Sequence, residues 1–321
     1  MKDCELCASS DFITLSTEIR EGYGLIVQCE KCGLIVQNLD WDEKKIQKYY
    51  QSEYQETNSL VTGCTQTPQE HFQDRLKTVL PIYEKIRPLL QPGIKVLEIG
   101  CGPGSLLSLI KPHVEKCVGV ELNIAFADYI NDELGMIAHS KDLNQIHFKE
   151  QFDLIISIDT LDHLSNPLQT LQKMNTLLTD SGKVYLEVPN QQDALNLYLP
   201  SINRQKYSKF FWHRAHLFYF TDKTISKIFK KSGFEVNVSC RHNYTLKNYL
   251  NWFFIGKPQP DFVTGTTDID FFSGESPFEK KMNSLFQEIE PRFKEIMAET
   301  FHGDALCCLA QKNKKYIKGI E

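Results

Sequence analysis

One segment, Val96–Gly104, constrains the fold of this 321-residue chain more than any other. It begins as an apolar strand, and a helix is predicted to start directly after it, near Ser105. Between them lie Gly100, Gly102 and Gly104, and glycines at such a turn let the backbone touch a ligand because no Cβ intervenes. A dinucleotide fingerprint needs another glycine where Ser105 stands, and the Gly-Lys-Ser/Thr of a P-loop is absent. We therefore expect a ligand that is neither a dinucleotide nor a nucleoside triphosphate.

Acidic residues close the strands that follow this turn. Glu121 ends the second predicted strand, where a carboxylate can accept hydrogen bonds from both hydroxyls of a ribose. After the third strand, Asp142 is placed to accept from an adenine amino group, with Leu143 packed on the ring. Asp159 ends the fourth strand. Because the carboxyl ends of parallel strands face the ligand crevice of an open α/β sheet, we expect these side chains around one site.

Strand and helix patterns alternate through the middle of the chain, which predicts an α/β, Rossmann-like and mostly parallel sheet with helices on both faces. An aromatic-rich insertion, partly helical at 278–300, precedes the last predicted strand at 305–310. An amphipathic helix from Phe72 to Leu90 precedes the first strand of this sheet. The other predicted strands are 94–99, 117–121, 135–138, 152–158, 183–188 and 234–240, and the predicted helices are 104–111, 124–133, 167–178 and 222–232.

The glycine turn, the acids after it and the segment 159–167 resemble the class I S-adenosylmethionine (SAM)-dependent methyltransferase family over residues 94–240. The resemblance implies that the glycine turn holds the methionine part of SAM, Glu121 the ribose and Asp142 the adenine. A plain tight turn is the alternative interpretation of the glycines. The cofactor-binding residues that the resemblance implies are Glu98, Gly100, Cys101, Gly102, Gly104, Glu121, Leu122, Asp142, Leu143, Asp159 and Tyr54.

Two Cys-x-x-Cys pairs, Cys4 with Cys7 and Cys29 with Cys32, lie near the N-terminus. Two such turns supply four soft thiolate ligands in a tetrahedron, which suits structural Zn²⁺ and predicts a zinc ribbon. Four free cysteines are the alternative. Residues 1–40 contain seven acidic and three basic side chains, a surface that would repel a phosphate backbone. Packing or a substrate lid is thus the expected role of the ribbon.

With its ribbon and the tyrosines Tyr49, Tyr50 and Tyr54, the chain is similar to bacterial methyltransferases that act on nucleotide-linked deoxysugars. Those proteins typically carry a further C-terminal domain, whereas this sequence ends soon after its last predicted strand. We expect four parts: the zinc ribbon, a helical linker or lid, a SAM-binding domain, and the aromatic-rich insertion as a lid, dimer surface or small hydrophobic core. Their ranges are 1–40, 41–92, 93–240 with 304–316, and 241–303.

The segment after the fifth strand supplies the predicted catalytic base. In the deoxysugar enzymes the resemblance places a tyrosine, a glutamate and a histidine here, matched by His213, Ala215 and His216. His216 is the candidate base, and His163 and Asp159 are further catalytic candidates. A purely structural role is the alternative for both histidines.

Residues 203–231 hold eight basic side chains and one acidic one, on a chain of net charge −5. This zone predicts an anionic small-molecule acceptor, although a solvated helix face explains part of it equally well. The substrate-contact candidates are His213, Arg214, Arg204 and Lys206.

Overall composition argues against two classes of protein, nucleic-acid-binding proteins and membrane-spanning proteins. The negative net charge argues against general nucleic-acid binding, and no apolar run reaches the roughly 20 residues of a membrane span. Without an apolar N-terminal stretch, we expect a cytoplasmic protein, with its six other cysteines packed as small buried residues.

The favoured hypothesis is SAM-dependent O- or C-methylation of a sugar, nucleotide sugar or phosphorylated glycan precursor, and formation of a homodimer is left open. Methylation of RNA or protein guided by the ribbon, and a non-catalytic cofactor-binding module, are the alternatives.

Overall fold

The fold was examined in a computed structural model that describes residues 3–39, 43–54 and 66–313. Expectations that concern residues 1–2, 40–42, 55–65 and 314–321, among them the packing of Cys64, lie outside the described residues. Cys101, Cys117, Cys240, Cys307 and Cys308 are buried, as predicted. In the described part of the chain, no helix has the length and apolar character needed to cross a membrane.

Eleven strands are described, in two sheets. In chain order they are β1 (Phe12–Ile19), β2 (Gly22–Cys29), β3 (Ile35–Asn38), β4 (Lys95–Ile99), β5 (Lys116–Val120), β6 (Ile137–His139), β7 (Phe152–Ile158), β8 (Leu178–Pro189), β9 (Phe218–Tyr219), β10 (Phe234–Arg241) and β11 (Ala305–Lys312). The helices are α1 (Glu43–Lys48), α2 (Pro68–Ile86), α3 (Ser105–Ile110), α4 (Ile124–Asp132), α5 (Pro167–Leu177), α6 (Ala194–Tyr198), α7 (Ser201–Phe211), α8 (Asp222–Lys231), α9 (Leu246–Phe254), α10 (Phe262–Thr267) and α11 (Pro277–Glu299).

Seven of these strands form the central sheet, in the order β10-β11-β8-β7-β4-β5-β6. The pairs among β8, β7, β4, β5 and β6 are parallel, and β11 lies antiparallel between β8 and β10. The predicted α/β, mostly parallel fold is therefore confirmed. Strand β8 begins earlier than predicted, at Leu178, because Leu178 pairs with Phe152.

Hydrophobic packing covers both faces of this sheet. Strand β7 shows why: Phe152 and Ile155 point into one cluster, and Leu154 and Ile156 into the other, all at most 1% exposed. The first cluster is closed by α5 and α8 and the second by α2, α3 and α4. A strand that is apolar on both faces is typical of a parallel sheet covered by helices.

A capping box formed by Thr67 and Glu70 sets the start of helix α2. Thr67 accepts a hydrogen bond from the Glu70 amide at 3.2 Å, and Glu70 accepts one from the Thr67 amide at 2.9 Å. This capping box satisfies amides that the first helical turn leaves unpaired. Phe72, Val79 and Ile82 bury one face of the helix.

The N-terminal strands form a second, antiparallel sheet in the order β1-β2-β3-β9. Its last strand, β9, comes from the segment after α7 and pairs with β3 at Ile35↔Tyr219 and Val36↔Phe218. The sequence did not predict this pairing. The N-terminal sheet is thus joined to the region of the predicted catalytic histidines.

Candidate active site

A cavity of about 640 Å³ opens at the carboxyl ends of β4, β5 and β7. Its size lies within the range of small-molecule sites in proteins. The glycine turn and its acids line one half, and the tyrosines of residues 50–54, the predicted catalytic histidines and the insertion line the other.

The glycine turn after β4 adopts a backbone that side chains disfavour. Gly100, Gly102 and Gly104 have φ of 73°, 54° and 85°. A Cβ on Gly100 would lie 2.1 Å from Oγ1 of Thr160, so only glycine fits this position. Gly100, Cys101 and Gly102 line the cavity, whereas Gly104 faces the packing side, where a Cβ would meet Ile130.

Glu121 ties the glycine turn to the next strand. Its carboxylate accepts from the Gly102 amide and from the Asn123 amide, both at 2.8 Å. Burial raises the pKa of Glu121 above its ordinary value. Leu122 lines the cavity beside it, and so do Asp142 and the buried Leu143 at the end of β6. Asp142 also accepts from the Asn144 amide at 2.8 Å.

Glu98 is a buried acid in the glycine-turn half of the cavity. It is 4% exposed, and its Oε2 has no hydrogen-bond partner among the described residues. Burial raises the pKa of Glu98 to about 8, and Arg75 opposes the rise. The cavity therefore contains a buried carboxyl group with one oxygen that no described residue bonds, an unfavourable arrangement unless a ligand supplies a donor.

Arg75 was missed in the sequence analysis. It extends from α2 to the cavity, where its guanidinium lies 3.9 Å from the Asp159 carboxylate. The available signal was its position on the apolar face of α2, three residues after Phe72 and four before Val79. Asp159 has a positive φ of 47°, which is rare outside glycine and often marks a functional site.

The other half of the cavity is built around a cluster of three side chains, Asp162, His163 and His216. The Asp162 carboxylate lies 3.5 Å from Nε2 of His163 and 3.7 Å from Nε2 of His216. Burial raises the pKa of Asp162 well above its ordinary value, lowers that of His163 to about 4 and lowers that of His216 well below its usual range. Both histidines are therefore neutral at physiological pH.

The predicted tyrosines lie against this cluster. The Tyr50 ring stacks on His163 with centroids 5.7 Å apart, and the Tyr54 ring meets His163 edge-on at 5.8 Å. Both tyrosines line the cavity. The Tyr50 hydroxyl donates to the Ala215 carbonyl at 2.8 Å, which fixes the segment that carries His216.

That segment, residues 212–217, is here named the histidine loop. The N-terminal sheet is hydrogen-bonded to it. The Arg20 amide donates to the Trp212 carbonyl, and the Gln37 amide to the Leu217 carbonyl, both at 2.8 Å. In the amide orientation that satisfies both partners, the Gln37 side chain donates to the His213 and His216 carbonyls at 2.9 and 2.7 Å.

Glu21 adds a second attachment of the N-terminal sheet to the histidine loop. Its carboxylate accepts from the Arg214 amide at 3.0 Å and lies 3.3 Å from Nε2 of His213. His213 lines the cavity, while the Arg214 guanidinium turns back to the Glu21 carbonyl at 3.3 Å.

The remaining predicted substrate contacts lie elsewhere. Arg204 donates to the Leu199 carbonyl at the end of α6, and Lys206 is exposed on α7. Neither they nor Arg214 line the cavity, and their role in substrate binding stays a prediction. The cavity wall carries seven acidic residues against three basic ones, Arg20, Arg75 and Lys141.

The four N-terminal cysteines converge. Sγ of Cys4 lies 3.5 Å from that of Cys32, and Sγ of Cys7 lies 3.5 Å from that of Cys29. All four sulfur atoms are within 4.8 Å of one another. A tetrahedral zinc with Zn–S bonds of about 2.3 Å separates its sulfur ligands by roughly 3.8 Å. The arrangement is consistent with a zinc ribbon.

A family model described as a methyltransferase domain matches residues 69–238, just over half of the chain. The chain belongs to this methyltransferase family. The matched range contains the glycine turn, Glu121 and the histidine loop of this methyltransferase domain. The sequence-based assignment to the methyltransferases is confirmed.

Curated relatives of the methyltransferase domain cover only part of the chain. The (S)-coclaurine N-methyltransferase of Papaver somniferum is 23% identical over 168 residues, 50% of this chain and 46% of the relative. The mitochondrial ubiquinone biosynthesis O-methyltransferase of Dictyostelium discoideum is 28% identical over 141 residues, 37% and 42% of the two chains. The chain thus spans less than half the length of these relatives.

Solved structures similar to the methyltransferase domain include two of bacterial and archaeal origin. Magnesium protoporphyrin IX methyltransferase from Synechocystis PCC 6803, solved with bound SAH, has a TM-score of 0.47 at 16% identity, covering 62% of this chain and 93% of that one. A SAM-dependent methyltransferase from Archaeoglobus fulgidus has a TM-score of 0.46 at 17% identity, covering 75% and 98%.

Proposed function

We propose that this chain binds SAM in the glycine-turn half of the cavity and transfers its methyl group to a small-molecule acceptor in the other half. The observation that carries the proposal is Glu98, a buried carboxyl group whose Oε2 has no partner among the described residues and which lies next to the glycine turn. An α-ammonium group would donate a charge-assisted hydrogen bond to this oxygen. Bound there, SAM supplies an activated sulfonium methyl group.

The other cofactor contacts are proposed from the cavity wall. Gly100, Cys101 and Gly102 bring backbone to the methionine part, and Arg75 supplies a cation for its carboxylate. Glu121 accepts from the ribose hydroxyls. The remaining predicted contacts on the wall are Leu122, Asp142, Leu143, Asp159 and Tyr54. Because the methyl group is already activated, the protein chiefly aligns the acceptor with it.

The acceptor half favours a polar, hydroxyl-bearing molecule, and we propose a sugar. The Trp252 ring lines this half and can cover the apolar face of a sugar ring. Asn243, Gln259 and Asp193 also line it; they already bond Asp304, Thr245 and Tyr207, and their oxygens retain lone pairs that can accept from sugar hydroxyls. Arg20 offers a cation for the phosphate of a nucleotide sugar or phosphorylated glycan precursor. The names of the relatives include both N- and O-methylation, so they do not select among acceptors.

His163 and His216 are proposed to activate the acceptor. Both line the cavity, and their ring centroids lie 4.9 Å apart. Substitution of either is expected to lower turnover without changing SAM affinity.

We also propose that Cys4, Cys7, Cys29 and Cys32 hold one structural Zn²⁺. Four protein ligands leave no open position on the metal, so its role is to stabilise the N-terminal sheet. That sheet in turn holds the histidine loop through Arg20, Glu21 and Gln37.

Calorimetry with SAM and with its demethylated product tests the central proposal. We expect both to bind the full-length protein, and a subsequent screen with methyl-labelled SAM should label sugars, nucleotide sugars or phosphorylated glycan precursors in preference to RNA or protein. If neither SAM nor its product binds, the proposed function is wrong.

Glu121→Gln should weaken SAM affinity roughly 100-fold. The amide loses the charge that strengthens the ribose bonds, and its nitrogen cannot accept from the Gly102 amide; each charge-assisted bond contributes about 1.5–3 kcal/mol, and about 1.4 kcal/mol is tenfold in affinity. Calorimetry on Glu121→Gln and on Glu133→Gln, an exposed acid just after α4, provides the measurement and its control. Equal affinities in the two variants would refute the ribose role.

A further inference from the structure

The cluster of Asp162, His163 and His216 has a geometry that its hydrogen bonds do not explain. Asp162 and His163 end a 3₁₀ turn after β7, and His216 comes from the histidine loop. The Oδ2–Nε2 separations of 3.5 and 3.7 Å exceed the usual N–H···O length of 2.7–3.2 Å. The three groups therefore converge on one point without bonding each other.

Asp162 is the most unusual member of this cluster. Its side chain is 1% exposed, and among the residues that the structure describes neither of its carboxylate oxygens has a hydrogen-bond partner. Nε2 of His163 is likewise buried without a partner there. Burying a carboxyl group in this way is strongly unfavourable unless a cation or donor occupies the space beside it.

A metal ion fits that space. One ligand atom from each of the three side chains lies within 4.8 Å of the other two. Ligands at about 2.0–2.1 Å from a tetrahedral metal are about 3.3 Å apart, close to the two carboxylate–imidazole separations. Two imidazoles and one carboxylate are a donor set that suits Zn²⁺, Fe²⁺, Mn²⁺ or Co²⁺.

The position of the cluster indicates a metal open to the acceptor. His163 and His216 both line the acceptor half of the cavity, and three protein ligands leave at least one coordination position for a molecule bound there. The four-cysteine group is separate in sequence and chemistry, because it supplies thiolates alone.

We propose that Asp162, His163 and His216 bind one divalent transition-metal ion that coordinates the acceptor oxygen. This rests on the proposed methyl transfer and specifies how the histidine pair acts. Coordination lowers the pKa of the acceptor hydroxyl, so its proton passes to water in the cavity. The oxygen lone pair then forms the C–O bond to the methyl carbon as the C–S bond breaks, and that electron pair returns to sulfur.

Cobalt alone is the probe. Co²⁺ is titrated into the full-length protein with its four-cysteine group loaded with zinc, and visible absorption and calorimetry follow binding. We expect one Co²⁺ site with d–d bands and without the thiolate charge-transfer band of a cysteine site. Asp162→Asn and His163→Gln should each weaken binding at least about tenfold. His213→Asn, which changes a neighbouring histidine already engaged by Glu21, should retain it.

Absence of a Co²⁺ site with these bands in the wild-type protein, or full binding in folded Asp162→Asn and His163→Gln, would overturn the metal site. Thermal melts establish whether each variant is folded. Because two variants are made, the test can still be carried out if one of them does not fold. SAM affinity is measured on the same samples. If SAM binds and Co²⁺ does not, the metal site is rejected and the proposed function stands. If SAM does not bind, the proposed function is rejected, and the Co²⁺ titration still decides whether the metal site exists.

Discussion

Replacing Cys29 by serine is expected to lower methyl transfer at least about 100-fold while SAM affinity changes by no more than about threefold. Cys29 is one of four thiols that converge at the end of β2, and loss of one ligand from a structural zinc removes much of the folding energy that the metal supplies. The histidine loop depends on this sheet for the contacts of Arg20, Glu21 and Gln37. The glycine turn and Glu121 bond to each other and to β5 instead.

Three measurements check this prediction: zinc content, turnover, and calorimetry with SAM. Cys117→Ala is the matched control, since Cys117 is also buried but lies in β5, away from the four-cysteine group. The control should retain zinc and most of its turnover. Wild-type turnover in a zinc-free Cys29→Ser protein would show that the N-terminal sheet does not support the histidine loop.

Gly100→Ala is expected to destabilise the protein by about 2–5 kcal/mol and to abolish measurable SAM binding. The left-handed backbone at φ 73° costs about 1–2 kcal/mol for a residue with a Cβ. The new methyl group would overlap Thr160, whose hydroxyl bonds the Ile158 carbonyl at 2.8 Å, and such overpacking adds about 1–3 kcal/mol. Displacing Thr160 or the turn distorts the surface that we propose contacts SAM.

Gly135→Ala separates the cost of the left-handed backbone from the cost of the overlap with Thr160. Gly135 also has a left-handed backbone, with φ of 56°, but a Cβ there would meet no atom within 4 Å. Urea unfolding should therefore show only the backbone cost of about 1–2 kcal/mol, with SAM binding retained. Equal losses of stability in the two variants would contradict the close contact with Thr160.

Much of the fold was predictable because its signals are local and repeated. Short apolar runs placed the strands of the central sheet, and the 3.6-residue period of apolar side chains placed its helices, mostly to within a few residues. The position of the glycine turn, Glu121 and Asp142 around one cavity was predictable for a related reason. A ligand site at the carboxyl ends of parallel strands takes its residues from successive strand ends, which the order of the chain already displays.

The acceptor half was not predictable to the same degree. His163 and His216 were candidates from sequence, but Asp162 and Arg75 were not. Asp162 stands out only because the fold places it beside the two histidines, and Arg75 only because it lies beside Asp159. The sequence also did not show where Arg204, Lys206 and Arg214 point, and their role as substrate contacts stays a prediction. In the structure Arg204 bonds the Leu199 carbonyl, Lys206 is exposed on α7, and Arg214 bonds the Glu21 carbonyl.

The sequence by itself determined the α/β architecture and the methyltransferase assignment. It also showed the two Cys-x-x-Cys pairs and the glycine turn, because each of these motifs consists of residues close together in the chain. Tertiary structure alone decided that β9 joins the N-terminal sheet and that Gln37 reaches the carbonyls of His213 and His216. It also decided that Asp162 is buried without a partner in the described part of the chain, between two histidines. Such contacts arise from packing between distant segments, and no local pattern records them.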